Sequence, residues 1–135
     1  MNRKRITELN QLRRSWIMSL CNTLVYRDFM LRNVALRNAF AAWDILDGLG
    51  RGVVEFMYRK EDNEVRFAKG TLCKGVSKIF DSYQGGKKDA ARRDNSNTDG
   101  IYTYWDLDKN GFRTFKAKNL LINEKFDNLI FHRHE

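Results

Sequence analysis

"IYTYWDLDKNGFRTFKAKNLL", residues 101–121, is the stretch whose reading decides the fold. Ile101 to Asp108 is dense in aromatic and β-branched residues, the types that suit a pleated, half-buried surface. From Gly111 onward, Phe112, Thr114 and Phe115 answer in the same style. Between the two runs stand Lys109 and Asn110, and Asn-Gly is a favoured hairpin turn because both residues tolerate a left-handed backbone. The same letters also spell half of another motif. Asp106-Leu107-Asp108-Lys109-Asn110-Gly111 carries side-chain oxygens at alternate positions and then glycine, as an EF-hand calcium loop begins. Such a loop ends on a bidentate Glu at its twelfth position, which here is Ala117. Arg113, Lys116 and Lys118 would repel a cation, and the flanks are strand-like where helices are needed. The stretch therefore reads as a hairpin, with Asp108 expected to accept a turn hydrogen bond.

Working outward, "VVEFMYRK" (53–60) and "EVRFAKGTL" (64–72) flank a polar turn at Glu61-Asp62-Asn63 and predict a second hairpin. Val65 and Phe67 alternate with Arg66 and Ala68, so one face is apolar, and Gly70 allows a bend. Leu129-Ile130-Phe131 supplies a last strand. About five short antiparallel strands with tight turns suggest a small barrel, since closure removes exposed edges. Ahead of them, Leu9, Leu12, Trp16, Leu20 and Leu24 recur at helical spacing, with Ile17 and Cys21 widening the stripe. A second helix is expected after Asp28, capped by it, with Phe29, Leu36, Ala39, Phe40, Trp43 and Leu46 on its buried side and Gly48, Gly50 and Gly52 ending it. The expected architecture is α+β: a helical segment over 1–50, then an SH3-like antiparallel β-barrel over 51–135 with a long mobile loop at about 73–100. Val76, Ile79, Phe80 and Tyr83 suit a short helical turn at the start of that loop, while residues 84–100 hold no large apolar side chain.

Taken together, these segments resemble the small family of bacterial and phage proteins described as SH3 β-barrel fold-containing. Ala68, Gly70 and Thr71 match its Ala-x-Gly-Thr element. Tyr104, Trp105, Asp106 and Leu107 match its Tyr-aromatic-Asp-Leu strand. Phe112, Arg113, Phe115 and Lys116 match its aromatic-Arg-x-Phe-basic strand, and Asn119-Leu120 closes the pattern. A helical N-terminal part with Trp, as at Trp16 and Trp43, fits too. The resemblance covers roughly residues 50–122, and the loop at 73–100 is longer and more basic than the family pattern. The final hairpin is also similar to the C-terminal part of WYL regulatory domains, whose small barrels bind nucleic acid or nucleotide ligands. That resemblance makes Arg113 and Lys116 candidate contacts.

The chain has 135 residues and a net charge of +8. Residues 1–43 concentrate the excess, with Arg3, Lys4, Arg5, Arg13, Arg14, Arg27, Arg32 and Arg37 against Glu8 and Asp28. Such a surface suits nucleic acid or another acidic partner. Two basic pairs, Lys87-Lys88 and Arg92-Arg93, make the loop a candidate arm for phosphate, with Arg66 a further candidate. Tyr102 and Tyr104 share a strand face; turned outward they would stack bases beside Arg113 and Arg66, and turned inward they fill the barrel. Cys21 and Cys73 are isolated thiols and form no zinc motif. Asp44 and Asp47 read as a solvated patch, and His132, His134 and Glu135 lack a fixed third metal ligand. No nucleophile–base pattern and no phosphate loop is present, so no enzyme and no cofactor is expected. No stretch is long and apolar enough to span a membrane, and no secretion signal is read, which points to the cytoplasm of a bacterium or phage-infected cell. The expected function is a small basic accessory protein that binds nucleic acid or regulates. The alternative is a structural or protein-interaction module, a phage component or an inhibitor of a host protein, with a homo-oligomer through the helices as one form of it.

Overall fold

The computed structural model describes residues 3–86 and 95–122, with side chains over 7–83 and 95–122. Two helices lead, α1 (Arg3–Tyr26) and α2 (Arg32–Leu49). The 24 residues of α1 span about 36 Å. Its core side chains are Ile17, Leu20, Cys21 and Leu24, packed on the small residues Ala35, Ala39 and Ala42 and on Ile45 and Leu49 of α2. The apolar stripe of α1 outruns that core: Leu9 and Leu12 are exposed. The expected cap at Asp28 is not formed. Asp28 pairs with Arg27, and α2 starts after Leu31 without a side-chain cap. Phe29 and Phe40, expected on the buried side of α2, are exposed, because the core-facing side of this helix is its alanine row.

Five strands follow as β1 (Val53–Arg59), β2 (Val65–Thr71), β3 (Ile101–Asp106), β4 (Gly111–Lys116) and β5 (Leu120–Leu121), in one antiparallel sheet of order β4-β3-β2-β1-β5. This is the α+β arrangement of a helical pair and a small SH3-like barrel. A 3-10 turn at Ala117–Asn119 carries the chain from β4 to β5, so the run that begins at Gly111 is two strands with a corner. The last strand expected at Leu129–Phe131 lies outside the described residues. The short helical turn expected at Val76, Ile79, Phe80 and Tyr83 forms as a nine-residue helix, α3 (Lys78–Gly86). Its Phe80 is buried against Trp105, at 5.4 Å between ring centroids.

Cross-strand pairs share a face, and the register sorts the aromatic residues accordingly. Tyr102 stands opposite Phe115, Phe56 opposite Ala68 and Tyr58 opposite Arg66, and these face the interior. Trp105 stands opposite Phe112 on the other face, where Phe80 and Tyr83 of α3 cover them. Phe112 and Phe115 therefore need no bulge; their odd spacing serves two covered faces. Two close approaches require glycine. A Cβ on Gly70 would meet the Tyr104 ring at 2.5 Å, and one on Gly48 would meet Val54 at 2.7 Å.

Helices and sheet share one core. The buried Asn38 side chain donates to Ala117 O at 2.9 Å, and Leu72 N donates to Leu49 O at 2.8 Å. Residues 95–99 are tied back to α1: Trp16 Nε1 donates to Ser96 O at 3.0 Å, the Ser19 and Thr98 hydroxyls meet at 3.0 Å, and Arg27 donates to Asp99 O at 2.6 Å.

Candidate nucleic-acid interface

At one end of the barrel, the β1–β2 turn and the end of β4 leave a cavity of about 230 Å³. Tyr58 and Phe115 lie at its base, and Arg59, Lys60, Arg66 and Lys116 stand around it with Glu61 as the one carboxylate of the lining. The sequence dictates this mouth simply. Strand alternation that points Phe56 and Tyr58 inward on β1 points Arg66, opposite Tyr58, inward at the open end of β2. A cation there cannot be buried, so it closes the barrel as a polar lid.

Arg66 is held firmly. The Tyr58 and Tyr104 hydroxyls meet at 2.8 Å, and Arg66 stands opposite Tyr58 in the register, near enough for both hydroxyls to favour its charge. Burial works against its charge, yet the two hydroxyls outweigh it and hold the guanidinium above its ordinary value. Burial, and then the bond to Tyr58, pushes the Tyr104 phenol well above the usual tyrosine range, so it remains a neutral donor and acceptor. Lys116 reaches Glu61 at 2.8 Å, and that bond lowers the Glu61 carboxyl below the usual range. Glu61 is exposed, so the pair at the rim costs little to open. Lys60 stands 3.5 Å from both Asp62 and Glu64, and Arg59 donates to Asn63 O at 3.1 Å. The site is thus a pre-organised guanidinium over a cavity, ringed by three exchangeable cations. That arrangement suits an oxyanion such as phosphate.

Arg66 and Lys116 are brought together here, as expected of candidate contacts. Arg113 is not. Its Nε lies 2.7 Å from Asp106 Oδ2, so its charge is spent on a buried carboxylate. The other Asp106 oxygen accepts from Asp108 N at 2.8 Å and Lys109 N at 3.1 Å. Asp106, rather than the expected Asp108, is the acceptor of the β3–β4 turn, with Asn110 in the left-handed region at φ 54°. Tyr102 and Tyr104 are corrected as stacking residues: both are 0% exposed, because the barrel interior takes their rings. Lys87, Lys88, Arg92 and Arg93 lie outside the described residues, as do His132 and His134. Asp44 and Asp47 pair separately, with Arg13 at 3.8 Å and Arg51 at 3.3 Å. Arg59 and Lys60 were missed; only the register, which places the turn over the cavity, brings them in.

A family model described as WYL_2, Sm-like SH3 beta-barrel fold, matches residues 43–121. No curated protein and no solved structure matches the chain.

Proposed function

Because this chain belongs to the WYL_2 family of Sm-like SH3 β-barrels, we propose that it is a small basic accessory protein of a bacterium or phage. It acts in the cytoplasm by binding nucleic acid, without catalysis. The observation that carries this reading is the barrel mouth, where Arg66, Lys116, Lys60 and Arg59 stand together around one cavity. A fixed guanidinium loses little conformational freedom when it meets phosphate, and mobile cations around it add attraction without demanding one geometry. The basic pairs Lys87-Lys88 and Arg92-Arg93 and the arginine-rich first 43 residues would extend the attraction along a strand.

The test is binding of a labelled oligonucleotide at increasing salt. Log affinity should fall linearly with log salt. Replacing Arg66 or Lys116 by Gln should weaken binding and reduce that slope by about one for each lost phosphate contact. The rival reading, a structural or protein-interaction module, is favoured by the exposed Leu9 and Leu12 of α1. It expects no salt-dependent binding, so absence of any complex at low salt overturns the nucleic-acid reading and leaves the rival standing.

A further inference from the structure

The connection between α1 and α2 does two things that harm an isolated chain. It leaves Tyr26 71% exposed, Phe29 87% exposed and Leu31 73% exposed. It also sets Phe29 at φ 58°, in the left-handed region. That backbone closes α1 through Met30 N to Leu24 O at 3.1 Å, a job ordinarily given to glycine or asparagine. A bulky side chain there is a backbone outlier, and such strain collects at functional positions. Among the described residues Phe29 gains little in return: its ring joins neither the core nor any aromatic pair. Glycine would serve the backbone better and a polar residue would serve the surface better. Nothing among the described residues accounts for the ring.

We propose that the α1–α2 turn is a stacking platform for unpaired bases, so that this protein prefers single-stranded nucleic acid. The proposal rests on phosphate binding at the barrel mouth. Two exposed aromatic rings stand beside basic side chains, the combination that takes successive bases of a single strand whatever their sequence. Arg32 lies over the Tyr26 ring, 5.8 Å from its centroid, and its Nη2 donates to the Tyr26 hydroxyl at 3.3 Å, which holds that ring upright. Asp28 of the same turn is held below the usual carboxylate range mainly by its bond to Arg27, with smaller attraction from Lys118 and Lys116. A single strand held by phosphate at Lys116 and Arg66 has unpaired bases to offer to exposed rings such as Phe29 and Tyr26. A duplex does not, because its base faces are hidden in its own stack. Charge decides against a second copy of this chain as the occupant, since each copy carries +8.

The experiment compares a labelled oligothymidylate with a duplex of the same length, using the full chain. The chain should bind the single strand more tightly. Phe29→Ala and Tyr26→Ala should each weaken single-strand binding roughly tenfold, with the duplex and the salt slope unchanged. Phe29→Trp should restore the loss, and unchanged melting of each variant shows that the fold is intact. Equal affinity for both nucleic acids overturns the platform, and so does single-strand binding that is indifferent to both alanine variants. In that second case loss of binding in Lys116→Gln keeps the mouth and removes the platform alone, pointing the turn at a protein partner. No binding to either oligonucleotide overturns platform and mouth together.

Discussion

The barrel interior and the α1–α2 turn use the same kinds of residue to opposite effect. Inside, the Phe115 ring lies 5.0 Å from Phe56, 5.8 Å from Tyr58 and Tyr102 and 6.0 Å from Tyr104, and both tyrosines of the mouth find hydroxyl partners. At the turn, Phe29 and Tyr26 point at solvent, and one of them strains the backbone. Aromatic content alone does not tell these apart. What does is whether strand alternation or a helix terminus sets the direction of each side chain.

The comparison breaks most readily at its buried end. Phe115→Ala should cost about 3–5 kcal/mol in chemical denaturation, the range for truncating a buried aromatic residue; a loss within surface scatter would deny that Phe115 organises the interior. A smaller effect is expected at high pH. The Tyr104 phenol is raised by burial, so the folded state keeps its proton where the unfolded chain, near pH 10, gives it up. This contribution is complete below about pH 10 and falls as pH rises past it. Tyr104→Phe should flatten that alkaline decline, at a cost of about 1 kcal/mol near neutrality for one lost hydrogen bond. An unchanged decline would place the responsible group elsewhere. Least in size, and opposite in sign, Phe29→Gly should stabilise the chain by about 0.5–1 kcal/mol through relief of the left-handed backbone. A destabilised glycine variant would mean that Phe29 makes contacts the structure does not show.

Much of this architecture was legible because period-two and helical patterns are local. The two hairpins, their turns and the Asp106–Gly111 stretch follow from strand propensity and Asn-Gly chemistry. Three features depend on packing at a distance and were not. The helical turn expected at Val76, Ile79, Phe80 and Tyr83 was legible, but its role as a cover over Trp105 and Phe112 was not. The inward face of β3 depends on which strands lie beside it, so Tyr102 and Tyr104 could be read either way. The phosphate-binding candidates divided for the same reason: Arg66 meets two buried hydroxyls, whereas Arg113 meets Asp106. Spacing alone does not distinguish a cation left available from one already paired.

The bonds between α1 and residues 95–99 set an order of events. Trp16 and Ser96 are 80 positions apart, Ser19 and Thr98 79, and Arg27 and Asp99 72. During synthesis at about 5–20 residues per second, α1 waits roughly 4–16 s for these partners to be made. Through that interval Ile17, Leu20 and Leu24 can be sheltered by α2 alone. The alanine row of α2 thus acts as a built-in escort, keeping the first helix from foreign surfaces until the segment that finally fastens it leaves the ribosome.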